Sequence, residues 1–270
     1  MSADAWNPAR YERFKAERRQ PFDDLVGLVR PWPGMRVVDL GCGPGSLTAE
    51  MHGALGAWET VGLDSSQAML AKAAPLAREG LRFDLGDIAD FEGRGLDLVF
   101  SNAALHWVPI DHAELLSRLA RTLAPGGQIA VQVPANFDQP THVVASELAG
   151  EEPYAAALGG RREFLSVLRP EEYATLLDRL GFEEQVVRLQ VYPHHLESRE
   201  AAVDWVRGTM LTAYETRLPP EVFARFLEEY RERLVARLPD ERPFFFPFKR
   251  ILFWGRLPGR PSVTEGGRPR

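Results

Sequence analysis

Hydrophobic positions in the first half of the chain gather into short, nearly continuous runs at 37–40, 60–64, 81–85, 96–101 and 128–133. Runs this short and this apolar suit strands covered by helices on both faces. Between them lie stretches of helical period. One spans 111–123, with Asp111 as N-cap, Glu114 three residues on, and Pro125-Gly126-Gly127 as its stop. Another spans 170–180, with Pro170 in the first turn and Gly181 just past the end. Strands alternating with helices predict an α/β fold with a mostly parallel sheet, to which 184–192 and 250–257 add a sixth and a seventh strand.

Two segments interrupt the alternation. Residues 136–169 form an insert after the fifth strand, and residues 194–246 predict a helical cap between the last two strands. The cap is expected as two helices, 201–214 and 220–238, separated at Pro219-Pro220. Residues 1–257 then make one domain with lid helices over 1–30, and residues 258–270, rich in Gly, Pro and Arg, predict a disordered tail. The chain has no internal repeat.

Composition narrows the function classes. With 32 Lys+Arg against 38 Asp+Glu, the 270-residue chain carries a net charge of −6 and lacks the basic footprint of a general nucleic-acid binder. A single cysteine excludes an internal disulfide and favours a reducing compartment. The N-terminus has no basic-then-apolar leader, and no apolar run approaches the roughly 20 residues that cross a bilayer. These features predict a cytoplasmic protein with no membrane partner. No compact Cys/His/Asp spacing suggests a metal site, although His194 and His195 are adjacent.

The richest segment for chemistry is Val38-Asp39-Leu40-Gly41-Cys42-Gly43-Pro44-Gly45-Ser46, a strand running through a glycine turn into a helix. Glycines there allow a tight turn and close approach of a ligand to bare backbone. The third glycine falls one place early for the dinucleotide fingerprint, where Ser46 stands instead, so the loop matches a pyrophosphate poorly. The acids sharpen the choice. Asp64 ends the second strand, where a carboxylate can accept both hydroxyls of a ribose. Asp87 and Ile88 end the third, a polar–apolar pair suited to an adenine amino group and ring face. Asp39 could orient the loop or meet an ammonium. Several carboxylates with no basic residue in the loop suit a cationic, ribose-bearing ligand such as S-adenosylmethionine. Each feature alone has a plainer structural use: a lone glycine turn is often only a turn, and Asp87 alone is often a cap. Cys42 suits a small loop residue better than a nucleophile.

Through these motifs and Ser101-Asn102-Ala103 the sequence resembles the class I S-adenosylmethionine-dependent methyltransferases over about residues 36–133. The resemblance implies a Rossmann-like, seven-stranded sheet with an antiparallel last strand and S-adenosylmethionine across the C-terminal strand ends. It implies cofactor roles for Gly41, Gly43, Asp64, Asp87 and Asn102. Tyr11, Asp39, Cys42, Ser65 and Ile88 complete the candidate cofactor set.

On the acceptor side, Trp6-Asn7-Pro8, Tyr11, Phe14, Arg18 and Pro21; Ser101-Asn102-Ala103-Ala104-Leu105-His106-Trp107; Gln132-Val133-Pro134-Ala135-Asn136-Phe137 with Pro140-Thr141-His142; and Phe246-Pro247-Phe248-Lys249-Arg250 carry a further likeness. Through them the chain resembles the trans-aconitate methyltransferase family. That resemblance implies a monomethyl ester formed on a small tricarboxylate. Gln20 departs from the second arginine expected beside Arg18. A carboxylate is ionised at neutral pH and needs no general base. Arg18, with its planar fork, and Trp107, with its single indole N–H, are the candidates to hold the reacting oxygen. His106 is expected to orient the acid or shape the pocket. Lys249 and Arg250 are candidates for the distal carboxylates, and only one of two consecutive strand residues can face a given pocket. The competing uses are packing under the cap for Trp107 and a solvated helix face for Arg18. Other readings are an O-methyltransferase for a different acid or natural product, and a non-catalytic protein that keeps the cofactor fold. Nucleic-acid methylation is disfavoured, since no Asn-Pro-Pro-Tyr or Asp-Pro-Pro-Tyr element follows the fourth strand.

Overall fold

Strand pairing follows from the apolar runs. Arg36–Leu40 (β1), Glu59–Asp64 (β2), Leu81–Leu85 (β3), Leu96–Asn102 (β4), Leu123–Pro134 (β5), Glu184–Leu196 (β6) and Phe244–Arg256 (β7) join in one sheet, in the order β3-β2-β1-β4-β5-β7-β6. β1 to β5 pair in parallel, and β7 runs antiparallel to both β5 and β6. This is the computed structural model of the chain; it describes residues 15–161 and 167–259, with the backbone alone for 15–18. Tyr11 and most of the tail lie outside the described residues.

The described helices are Lys15–Val26 (α1), Ser46–Leu55 (α2), Gln67–Ala73 (α3), His112–Ala120 (α4), Pro140–Ala149 (α5), Tyr154–Ala157 (α6), Pro170–Arg179 (α7), Glu200–Arg207 (α8), Thr212–Glu215 (α9) and Pro220–Arg237 (α10). Alternate strand residues serve opposite faces. Val38, Val99 and Val131 pack with Leu115 and Leu119 of α4 and Tyr173 and Leu177 of α7. Val37, Leu98 and Ala130 pack with Phe22 and Leu25 of α1 and Met51 of α2. Asp111 caps α4 as expected, its Oδ1 accepting the N–H groups of Ala113 (2.8 Å) and Glu114 (3.3 Å).

A third apolar cluster joins α5, α6, α8, α9 and α10 to Phe244, Phe246 and Phe248 of β7. Beyond the pair Pro134–Arg250 the strand β5 ends, and β6 and β7 continue as a pair from Val191–Lys249 to Leu196–Phe244. The inserted helices pack on this overhanging ribbon, so Arg250 stands at its root.

Four boundaries differ from the sequence expectation. β7 starts at Phe244 rather than 250, because Phe244, Phe246 and Phe248 alternate inward with the exposed Phe245. β6 runs on to Leu196 to pair with it, so the cap lies between Leu196 and Phe244. β5 starts at Leu123, and Pro125-Gly126-Gly127 lies within it, next to a register shift against β4, instead of ending a helix. The cap helix expected at 201–214 divides after Arg207, where Gly208 closes α8.

Candidate active site

Strand order reverses between β1 and β4. Connections leave in opposite directions there, and a crevice opens beyond the carboxyl ends of the strands. The glycine loop enters it under close restraint. The N–H groups of Gly41 (2.8 Å) and Cys42 (3.0 Å) donate to Leu63 O, and the Gly43 N–H donates to Asp64 Oδ2 at 2.8 Å. Gly41 has φ +80°, and a Cβ there would stand 2.2 Å from the Ala104 Cβ. At Gly43, with φ +57°, a Cβ would meet nothing within 4 Å. The first glycine is demanded by close approach of two loops, while the second borders open space.

The Ser101 hydroxyl donates to Leu40 O at 2.8 Å and ties the end of β4 to that of β1. Ala103 follows at φ +58°, a backbone conformation that costs a non-glycine residue about 1 kcal/mol or more. The turn it makes brings Asn102, Ala104, His106 and Trp107 to one cavity.

At one end that cavity is lined by Gly41, Gly43, Asp64, Ser65, Asp87, Ile88 and Asn102. Burial raises the Asp64 carboxyl above its ordinary value, against the lowering effect of the Ser66, Gly43 and Ser65 N–H groups. Asp87 caps a short turn, its Oδ1 accepting the Ala89 N–H at 2.9 Å. Asn102 Oδ1 is buried with no hydrogen-bond partner. A carboxylate pair, an orphaned acceptor and an unfilled position beside Gly43 fit a ligand that donates hydrogen bonds and carries positive charge.

Asp39 and Cys42 stand outside the lining. Asp39 lies beneath the loop and accepts the Thr48 hydroxyl at 2.6 Å; burial raises its pKa to about 7. The Cys42 side chain packs at Gly62, and burial pushes the thiol up. Both support the loop from below.

The other end is built from β7, the Leu105–Trp107 turn and the inserted helices. Arg250 is 5% exposed; its Nη1 donates to Gln132 Oε1 at 3.0 Å, and its guanidinium lies 4.9 Å from the centroid of the Phe248 ring. Lys249 points elsewhere and ion-pairs with Asp138. Of the two candidate cations, Arg250 is therefore the one that lines the cavity. His106 is 4% exposed, and its Nδ1 has no hydrogen-bond partner. Burial lowers its pKa to about 3, so the ring is neutral at physiological pH. His112 makes the contrast: its ring bonds Tyr173 Oη (2.5 Å) and Leu105 O (3.3 Å) and serves the core. Trp107 sits 5.0 Å from His106, centroid to centroid. The Arg18 backbone belongs to α1, and its side chain is outside the described residues. His142, Trp205, Arg217 and Phe248 also line the cavity and were not singled out as site residues from sequence. Phe248 stands two residues from Arg250, a strand spacing that puts both on one face. No sequence signal marks Trp205 or Arg217.

Among the described residues no group of three or more His, Cys, Asp or Glu could hold a metal, and no helix is long and apolar enough to cross a membrane.

A family model described as a methyltransferase domain matches residues 37–127. A trans-aconitate 2-methyltransferase of Deinococcus radiodurans is 43% identical over 259 residues, covering 94% of this chain and 98% of that protein. The chain belongs to the trans-aconitate 2-methyltransferase family. A second member, from Variovorax paradoxus, is 39% identical over 237 residues, covering 87% of this chain and 90% of its own. A third, from Mycobacterium tuberculosis, is 37% identical over 263 residues, covering 94% and 97%. Among solved structures, the YcgJ protein of Bacillus subtilis matches with a TM-score of 0.59 at 16% identity, over 90% of this chain and all of that one. Phosphoethanolamine N-methyltransferase 2 of Haemonchus contortus, solved with S-adenosyl-L-methionine, matches with a TM-score of 0.53 at 18% identity, over 89% of this chain and 53% of that one. These likenesses establish the class I methyltransferase fold, with its Rossmann-like, mostly parallel sheet. The family membership makes the chain an S-adenosylmethionine-dependent O-methyltransferase.

Proposed function

We propose that the protein transfers a methyl group from S-adenosylmethionine to one carboxylate of trans-aconitate, giving the monomethyl ester. The observation that carries this reading is a single cavity with two chemically opposite ends. One end offers Asp64, Asp87 and the orphaned Asn102 Oδ1, and the other offers Arg250, Arg217 and the neutral His106. A cation fits the first and a polyanion the second. The relatives named above as trans-aconitate 2-methyltransferases supply the specific acid.

The cofactor supplies an electrophilic methyl on a sulfonium; as the new C–O bond forms and the S–C bond breaks, the sulfur keeps the electron pair and no proton moves. The chain's task is therefore alignment, which can contribute several kcal/mol or more to the barrier. Asp64 accepts hydroxyls of the ribose, and Asp87 with Ile88 takes the adenine edge and face. Asn102 Oδ1 accepts from the ammonium. Trp107 donates its indole N–H to the acceptor carboxylate, and Arg18 is the second candidate donor to that group. Arg250 holds a carboxylate that does not react. His106, neutral at working pH, has no proton to remove and orients the acid instead. A reducing compartment such as the cytoplasm is the expected location, in keeping with the single cysteine.

The test is release of S-adenosylhomocysteine by the purified protein, with and without trans-aconitate. Acid-dependent release supports the reading. Release at the same rate without acid, or none with it, contradicts it.

A further inference from the structure

Two buried glutamines on one face of β5 differ in a way that bears on the reaction. Gln128, midway along the strand, is fully engaged: its Oε1 accepts the Trp254 Nε1–H (2.7 Å) and the Arg30 N–H (2.9 Å), and its Nε2 donates to Arg30 O (2.9 Å). Gln132 lies four residues on, towards the carboxyl end where the crevice opens, and is 0% exposed. Its Oε1 accepts from Arg250 Nη1 at 3.0 Å, but its Nε2 has no hydrogen-bond partner. The amide cannot be turned to mend this, because a guanidinium only donates and needs the oxygen facing it. A fully buried amide donor left unmatched is costly and is rarely kept without use.

The partner it does have defines the use. Arg250 is held in its plane by Gln132 and on its face by Phe248, and it lines the cavity beside His106, whose Nδ1 is also unmatched. A long, flexible side chain is thereby set in one orientation before any acid arrives, which reduces the ordering cost of binding. We infer that Gln132 is a positioning residue that aims Arg250 at the non-reacting carboxylate of the acid, and so makes the enzyme selective for polyacids over monoacids. The inference rests on the polyacid reading of the site. It separates the two glutamines by role: Gln128 fastens the sheet, and Gln132 serves the substrate.

The experiment compares Gln132→Met, which removes the acceptor, with Gln132→Glu, which keeps an oxygen on Arg250 but replaces the amide donor by negative charge. Gln128→Met is the structural comparison. In both Gln132 variants KM for trans-aconitate should rise about tenfold or more, the scale set by losing a hydrogen bond to a charged group, while KM for S-adenosylmethionine stays near the wild-type value. Turnover of a monocarboxylic acid, where measurable, should change little. Gln128→Met should lower Tm without altering either KM. In an Arg250→Lys background, adding Gln132→Met should raise KM little further, because the two act as a unit. If Gln132→Met does not fold, Gln132→Glu carries the test, alone and in the Arg250→Lys background. The inference is overturned if a folded Gln132 variant keeps the wild-type KM for trans-aconitate, or if Tm and both KM values worsen together as from a general packing defect. A wild-type protein that esterifies no polyacid overturns the proposed function as well. Active wild type with indifferent Gln132 variants overturns this inference alone.

Discussion

Lys249 and Arg250 are consecutive on β7 and serve opposite sides of it: Arg250 lines the cavity, bound to Gln132, while Lys249 is ion-paired with Asp138. Their substitutions should separate accordingly. Arg250→Met should raise KM for trans-aconitate at least tenfold, because a buried charge-assisted contact is lost. Lys249→Met removes an exposed ion pair worth roughly 0–1 kcal/mol and should leave KM within about threefold. Steady-state kinetics on both variants decides this, and the reverse ranking would move the distal carboxylate to the other face of the strand.

The two loop glycines make a second contrast. Gly41→Ala places a Cβ 2.2 Å from the Ala104 Cβ at φ +80°, so the variant should lose several degrees of Tm and bind cofactor poorly. Gly43→Ala meets no atom, and should cost only about 1 kcal/mol for its positive φ while weakening S-adenosylhomocysteine binding by intruding on the open space. Thermal melts with calorimetry would check both. Intact cofactor affinity in Gly43→Ala would show that the ligand does not approach that backbone.

Asp64→Ala should weaken S-adenosylhomocysteine binding by about tenfold or more in calorimetry. The side chain also holds the Gly43 and Ser66 N–H groups, so Asp64→Asn is the milder companion. Unchanged affinity in both would remove Asp64 from the ribose.

Sheet and loop were largely legible in the sequence because both rest on local patterns. Short apolar runs mark β1 to β4 closely, and Asp111 caps α4 through its immediate neighbours. The far end of the cavity was less legible. Trp205 arrives on α8 and Arg217 in the turn between α9 and α10, within an insert whose placement depends on packing with Phe246 and Phe248, distant in sequence. The sequence pattern places the start of β7 six residues late because Phe244–Phe246 looks like a uniform apolar run, and only a cap on one side and solvent on the other reveal its alternation. Nothing local distinguishes Gln132 from Gln128; their difference lies in what each meets across the sheet.

Asp39 gives a pH dependence of stability with a definite sign. Its pKa is about 7 in the folded chain, above the ordinary value of 3.8, so the folded state holds the proton where the unfolded state has released it. Stability from this group therefore falls as pH rises from about 4 through 7. Asp39→Asn, which can still accept the Thr48 hydroxyl, should raise Tm relative to wild type at pH 8 and show a smaller gain at pH 5. An equal gain at both would mean that Asp39 ionises normally.

Activity should follow another rule. With His106 near 3 and the acceptor already ionised, kcat should show no limb near pH 6.5 that belongs to this histidine. A limb there that disappears in His106→Asn would make it a base.

Methyl transfer to a carboxylate oxygen can be followed with S-adenosylmethionine that carries a deuterated methyl group. Trans-aconitate and a panel of other acids would be incubated with the purified protein and analysed by mass spectrometry before and after mild alkali. The expected product is trans-aconitate with a single deuterated methyl, released by alkali as an ester must be, with little label on monocarboxylic acids. Cofactor binding without label on any acid, or label that survives alkali, would contradict it.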